Sequence, residues 1–375
     1  MLHTVEAQHG LNAAAPSRAP LAADQDLRAF IRALDQAGLL VRVKESVHWK
    51  FEIGRRTRAT RKPLLFESVL DYPGQSVFTN GLCDLHSLSL VLGMDPGTSW
   101  RQLVAEAARR VASPCSPVVA ETSPLLENIV LGTEIDLTSL PVPHWTQRDA
   151  GRYLGTWHLN LTKDQETGAR NAGVYRMQLL GPRQATVSAY PGSHLWMHAA
   201  RAEQAKMPLP LAVAIGVPEP VLMAASAGYP PGKDEFELAG ALLQAPLKLI
   251  RCRTVDLEVP ALSEIVVEGY IHPGVRVQDG PFLDFLGLPN TNPQAFLFEA
   301  TGLMFRNHPI FRGASVGTPG AEDHQLFALL AALDLLDFHG NRWKQKVWNL
   351  LLRHRLFRTF QQVSRLRARL QRRRQ

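Results

Sequence analysis

At 375 residues, with 45% hydrophobic and 20% charged content, the chain has room for two or three cored domains and falls outside the disordered classes. Its net charge of +7 sits at one end: 12 of the 41 Lys and Arg lie in 342–375, which has no Asp or Glu, leaving 29 basic against 34 acidic groups elsewhere. A nucleic-acid reading therefore attaches to the tail alone. No apolar run reaches the roughly 20 residues of a membrane span, and the N-terminus lacks the basic and apolar regions of a secretory signal. Cys83, Cys115 and Cys252 are widely scattered and read as reduced thiols of a cytoplasmic protein.

Residues 1–23 show no period and read as a disordered leader. Asp24 is placed to cap a helix striped by Leu27, Phe30, Ile31 and Leu34 and closed by Gly38. Strands are expected over 39–43, 64–66 and 76–79, then a helix over 99–111, so 24–115 forms a small α+β domain of architectural role. Pro114, Pro117 and Pro124 mark a linker into a second domain over 116–318. There the pattern is mainly strands, over 157–163, 173–180, 211–217, 247–254, 264–271 and 298–306. Residues 164–168 form a hairpin-like loop, and helices interrupt at 194–206 and 234–243. This succession suggests an antiparallel barrel within an α+β chain. From 319 the chain turns helical: Leu326, Leu329, Leu330, Leu333 and Leu336 share a face, and a basic amphipathic helix covers 342–375.

Several polar residues stand out of this apolar patterning. In a strand over 173–180, Val174, Arg176 and Gln178 share one face and Tyr175 the other, with Asn171 in the preceding turn. Asn171 reads either as a turn residue or as a cation ligand, and Arg176 as a surface charge or a site residue. His194 and His198, four apart on a helix that Ser193 caps, share a face but lack the Glu of a metalloprotease motif. Helix phase puts Glu235 on the stripe of Leu238, Ala239 and Leu242, whereas Glu237 points towards solvent. A carboxylate on the buried face needs a helix N-terminus, an arginine or a metal as partner. Asp279 and Asp284 flank a Gly-Pro turn. With Arg176 between them, one is held as an anion while burial and like charge keep a proton on the other; the plainer reading is two turn aspartates.

Together these segments resemble the UbiD family of prenylated-FMN-dependent decarboxylases. The resemblance rests on Asp149-Ala150-Gly151-Arg152-Tyr153, Asn171-x-Gly173-x-Tyr175-Arg176, His194, Asp234-Glu235-x-x-x-Ala239-Gly240, Leu257-Glu258-Val259-Pro260-Ala261, Glu264-Ile265-Val266-Val267-Glu268-Gly269 and Asp279-Gly280-Pro281-Phe282-x-Asp284, in family order over about four-fifths of the chain. It implies a split β-barrel holding prenylated FMN, with the flavin phosphate bridged by Mn²⁺ or Mg²⁺ and a monovalent cation such as K⁺ nearby. Asn171, His194 and Glu235 would be the metal ligands. Val174, Tyr175, Arg176, Ser188, Ala189, Tyr190, Ser193 and His194 would line the flavin. Arg176 would orient the substrate carboxylate, Asp284 would be the proton donor, and Asp279 would complete an acid–Arg–acid set.

Where the family often has Glu-Gly-Pro-Phe-Gly-Glu, this chain has two aspartates and Leu283, and Asp279 shortens the reach to Arg176. Where family members continue into an α/β C-terminal domain, it has the basic helical segment 319–375. The implied function is non-oxidative, reversible decarboxylation of an aromatic or α,β-unsaturated carboxylic acid, with a flavin prenyltransferase supplying the cofactor. The alternative is a flavin-binding, non-catalytic or partner-dependent subunit of a decarboxylase complex. A homo-oligomer or partner subunit belongs to the expectation, as does contact of 342–375 with an anionic membrane surface.

Overall fold

The computed structural model describes residues 25–230 and 232–335. The leader over 1–23 and the basic helix over 342–375 lie outside these residues. The first helix, Leu27–Gln36, buries the four-residue stripe read from the sequence and closes at Gly38, whose φ is +69°. Its cap is Asp26, not Asp24: the Asp26 carboxylate accepts from the Ala29 amide at 2.7 Å. The helix Trp100–Val111 starts in a reciprocal capping box between Ser99 and Gln102. Between them lie two helices that the pattern did not signal, Glu52–Ala59 and Leu85–Val91.

The strands Val41–Val43, Leu64–Phe66 and Ser76–Thr79 form one small sheet. Its fourth member arrives from far along the chain: Ile310–Arg312 pairs in parallel with Ser76–Thr79. Charge closes the same joint. Arg28 donates to both oxygens of Glu264 at 2.8 Å, and Glu264 is fully buried. Deeper, Arg312 bonds Glu219 at 2.7 Å and Glu322 at 2.5 Å, all three within 2% of full burial. Glu322 also accepts from the Asn80 and Leu82 amides. Arg312 is thus a guanidinium shared by two carboxylates on separate helices, and through Glu322 the cluster also reaches residues 80 and 82.

The fold is mixed α+β around one antiparallel sheet that curls into a half-barrel. Its strands run in the order Gln184–Val187, Pro289–Phe305, Ile265–Leu283, Leu209–Ile215, His158–Lys163 and Arg170–Gly173, with Asn128–Leu131 also on Pro289–Phe305. The two central strands are 19 and 17 residues long, and four register shifts along their ladder let it bend. They extend well past the 264–271 and 298–306 expected, because alternation fails at the bulges.

The expected strand 173–180 is broken. Arg170–Gly173 pairs with His158–Lys163, and Met177–Gln178 belongs to a separate ribbon with Tyr153–Gly155. The physical reason is at Tyr175, whose backbone N–H donates to the Asn160 side chain at 3.0 Å instead of to a ladder. Asn171 accordingly lies inside a strand and not in a turn, which spans 164–169. The last described helix, Glu322–Ala332, ends before the stripe reaches Leu336, since Asp334 adopts φ +57° and the Leu335 amide returns to the Leu330 carbonyl. No helix among the described residues is long and apolar enough to cross a membrane.

Candidate active site

Residues 174–176 leave the sheet between two short strands, and their side chains serve two different groups of residues. Tyr175 reaches the first group: its hydroxyl lies 3.5 Å from Asn171 Oδ1 and accepts from the Leu195 amide at 3.4 Å. Burial pushes its phenol up to about 12, so it stays neutral. Leu195 is in the helix His194–Gln204, which Ser193 caps through the Trp196 amide as its sequence position requires. His194 opens that helix, and its Nδ1 faces Glu235 Oε1 at 3.8 Å, too far for a direct hydrogen bond.

Glu235 is 4% exposed, confirming the phase argument that chose it over half-buried Glu237. Its Oε2 accepts from the Ala172 amide at 3.0 Å, next to Asn171. Asn171, also buried, donates through Nδ2 to Thr162 at 3.3 Å and leaves Oδ1 with the long Tyr175 contact alone. His194 thus faces Glu235, Glu235 is bonded at the residue after Asn171, and neither the His194–Glu235 approach nor Asn171 Oδ1 is closed by a short hydrogen bond. Among the described residues, no three His, Cys, Asp or Glu are grouped to hold a metal. His198 is not one of the set. Its Nδ1 is 2.9 Å from Thr162 Oγ1, and burial lowers its pKa to about 4, as expected of a neutral packed histidine.

Arg176 serves the second group. Its Nε and Nη2 both lie 2.5 Å from Asp279 Oδ1, while Thr186 donates to Asp279 Oδ2 at 2.6 Å. The shorter aspartate thus reaches Arg176 despite replacing the usual glutamate. Asp279 is fully buried; burial raises its pKa, opposed by Arg176 and the hydroxyl. The guanidinium stands 5.4 Å from the Phe282 ring centroid and donates to the Asn290 carbonyl at 3.3 Å.

Asp284 is held by its own loop and not by a bond to Arg176. Its Oδ1 accepts from the Leu286 and Leu288 amides at 2.9 and 3.2 Å, within a turn closed by backbone bonds to Leu288 and Gly287. Burial raises its pKa more than these amides and Arg176 lower it, and Asp323 raises it further. The two acids therefore have distinct settings, one bonded to the guanidinium and the other not. Gly317 permits this turn: a Cβ there would lie 2.2 Å from the Asp284 carbonyl oxygen.

Of the remaining expected residues, Ser188 and Tyr190 adjoin the second group. Val174 is half-buried, Ser188 accepts from Asn292 Nδ2 at 3.2 Å and gives its amide to the Arg176 carbonyl, and Ala189 is buried. Tyr190 is 45% exposed and donates to Asn290 Oδ1 at 2.8 Å. Sequence reasoning missed Asn160, Thr186 and Phe282. Phe282 lay within the recognised motif, but nothing in local spacing marks Thr186, 93 residues from Asp279.

The model of the 3-octaprenyl-4-hydroxybenzoate carboxy-lyase Rift-related domain (UbiD) matches residues 117–319, and that of the N-terminal domain of the same carboxy-lyase matches 31–107. The chain is 33% identical over 332 residues to pyrrole-2-carboxylic acid decarboxylase of Pseudomonas aeruginosa, covering 84% of this chain and 66% of the relative. It is 30% identical over 310 residues to phenolic acid decarboxylase of Bacillus subtilis, covering 80% and 65%. It thus spans just under two thirds of the length of these relatives. Among solved structures, the closed form of vanillic acid decarboxylase from Sedimentibacter hydroxybenzoicus superposes with a TM-score of 0.78 at 32% identity, over 81% of this chain and 67% of that one. An evolved dimeric form of the UbiD-class enzyme HmfF from Pelotomaculum thermopropionicum, in complex with prFMN, gives 0.74 at 32%, over 82% and 70%.

Proposed function

The chain belongs to the UbiD family, and from that premise we propose that it is a non-oxidative decarboxylase of an aromatic or α,β-unsaturated carboxylic acid that works with prenylated FMN. The observation that carries the reading is the Arg176–Asp279 pair at 2.5 Å beside Asp284, a carboxyl that burial pushes towards its protonated form.

Asn171, His194 and Glu235 would hold the divalent cation at the flavin phosphate. Two oxygens and one imidazole suit Mn²⁺ or Mg²⁺ better than a structural zinc, and the 3.8 Å opening between His194 and Glu235 leaves their facing atoms available. The curled sheet would form the flavin-binding split barrel, with Val174, Tyr175, Ser188, Ala189, Tyr190 and Ser193 on the cofactor side and K⁺ as a second cation. A flavin prenyltransferase would supply the cofactor. Prenylated FMN, when bound, supplies the electron sink for the carbon that loses CO₂.

The protein's share of the work is positioning and one proton. Arg176 takes the substrate carboxylate, held in place by Asp279 and by Phe282 beside it. Asp279, bonded on both oxygens, keeps the guanidinium from turning away. Asp284, whose carboxyl burial pushes towards its protonated form, is the group that delivers a proton to the carbon vacated by CO₂. Reconstitution with prenylated FMN and Mn²⁺, followed by CO₂ release and exchange over a panel of aromatic and unsaturated acids, tests the proposal. Turnover strongly reduced by Asp284→Asn is the expected result; a fully loaded protein with neither release nor exchange refutes it.

A further inference from the structure

The segment Asp149–Tyr153 is one of the motifs of the family resemblance, yet the roles above leave it unused. In the structure it is the seat of the turn that carries both acids. The Asp149 carboxylate accepts from the Leu283 amide through Oδ1 at 3.0 Å and from the Thr146 amide through Oδ2 at 2.8 Å. The Ala150 amide donates to the Pro281 carbonyl at 2.7 Å. Tyr153 lays its ring 4.3 Å from that of Phe282, and its hydroxyl meets Gln178 Oε1, the acceptor for the Gly280 amide at 3.0 Å. Every contact with the turn itself falls within 280–283, between Asp279 and Asp284.

The arrangement is asymmetric. Asp279 is fixed by its own side-chain bonds to Arg176 and Thr186. Asp284 has no such bond across the site; its Oδ1 is turned back to its own loop amides. The position of its carboxyl relative to Arg176 is then set by the backbone of Leu283, one peptide away. That backbone is held from outside the turn by Asp149, itself only 6% exposed and with both oxygens occupied.

We propose that Asp149 is a positioning residue for Asp284: by holding the Leu283 amide it fixes the candidate proton donor at its place beside Arg176. The inference rests on the decarboxylase reading for its consequence in turnover, but not for its structural content. Asp149→Ala removes both acceptors. Asp149→Asn keeps one oxygen, so it can serve Leu283 or Thr146 but not both.

The test combines two measurements on the protein without cofactor and one on the reconstituted enzyme. Amide hydrogen exchange across 280–288 is expected to quicken at least tenfold in Asp149→Ala and by a smaller factor in Asp149→Asn, with exchange in the strand Leu209–Ile215 unchanged. The carboxyl titration of Asp284, followed by carbon-13 NMR and assigned with Asp284→Asn, is expected to move in both variants. In the reconstituted enzyme, kcat is expected to fall roughly tenfold or more with KM within twofold. Unchanged exchange and an unchanged Asp284 titration in both variants overturn the proposal, as does exchange that quickens equally in the distant strand. Absence of turnover in the wild type would count against the decarboxylase reading, while the first two measurements would still decide the role of Asp149.

Discussion

Replacing Arg176 by methionine should destabilise the protein in a way that depends on pH. Asp279 is fully buried, and of its three short contacts two come from Arg176, leaving only the Thr186 hydroxyl after the change. Stranding a buried carboxylate costs about 3–5 kcal/mol, and removing Arg176 takes away the largest influence that lowers the Asp279 pKa, so the folded-state pKa rises further. The sign follows. Asp279 in the variant holds its proton more tightly folded than unfolded, so the protein is relatively most stable below the ordinary carboxyl pKa. Stability is then lost at about 1.4 kcal/mol per pH unit until the raised pKa is passed. Urea unfolding of wild type and Arg176→Met at pH 4.5, 6 and 7.5 measures this. The deficit should be small at the lowest pH and reach its full value near neutrality, and Asp279→Asn added to Arg176→Met should recover most of it at pH 7.5. A deficit that is the same at all three pH values, or a double variant no better than the single one, refutes the view that one buried guanidinium–carboxylate pair anchors the site.

Asp284→Asn should lower kcat by roughly 100-fold or more, within the range of general acid catalysis, with flavin loading unchanged. In the wild type, turnover should fall as pH rises through the raised Asp284 pKa, because the protonated form is the donor; a pH–rate profile of both proteins checks this. Glu235→Gln should abolish tight Mn²⁺ uptake, read by elemental analysis and electron paramagnetic resonance, while leaving the melting temperature within a few degrees. Arg312→Met leaves Glu219 and Glu322 buried without their cation, at about 3–5 kcal/mol; thermal unfolding should drop by several degrees, at roughly 2 °C per kcal/mol.

What the sequence disclosed depended on how local each signal was. Glu235 and Glu237 were separable because helix phase is set within one turn, and Ser193 because a cap bonds its own helix three residues on. The helix Glu52–Ala59 was missed since it buries only Ile53, Gly54 and Thr57, too few apolar side chains to make a stripe. Its reason for existing is a close approach: a Cβ on Gly54 would lie 1.9 Å from the Trp145 carbonyl oxygen, so only glycine lets that helix pack there. Partners such as Thr186 and Asp279, or Arg312 and Glu219, are 93 residues apart in each case and have no period to betray them. Alternation along 173–180 separated Tyr175 from Arg176 correctly, but the continuous strand it assumed is broken.

That break shapes the site. A strand continuing through 174–176 would commit the Tyr175 amide to a neighbour in the sheet; instead Asn160 takes it with a side chain, and the ladder stops at Gly173. The chain then rejoins a different ribbon at Met177, whose partner strand begins at Tyr153, the last residue of the seat beneath the acid turn. Three residues outside regular pairing thus connect the candidate metal group at Asn171 to the candidate proton-transfer group at Asp279 and Asp284. Neither group could be moved independently of the other without remaking this connection. The proposed chemistry needs this coupling, because a carboxylate clamp and a proton donor are useful only at a fixed offset from the cofactor they serve.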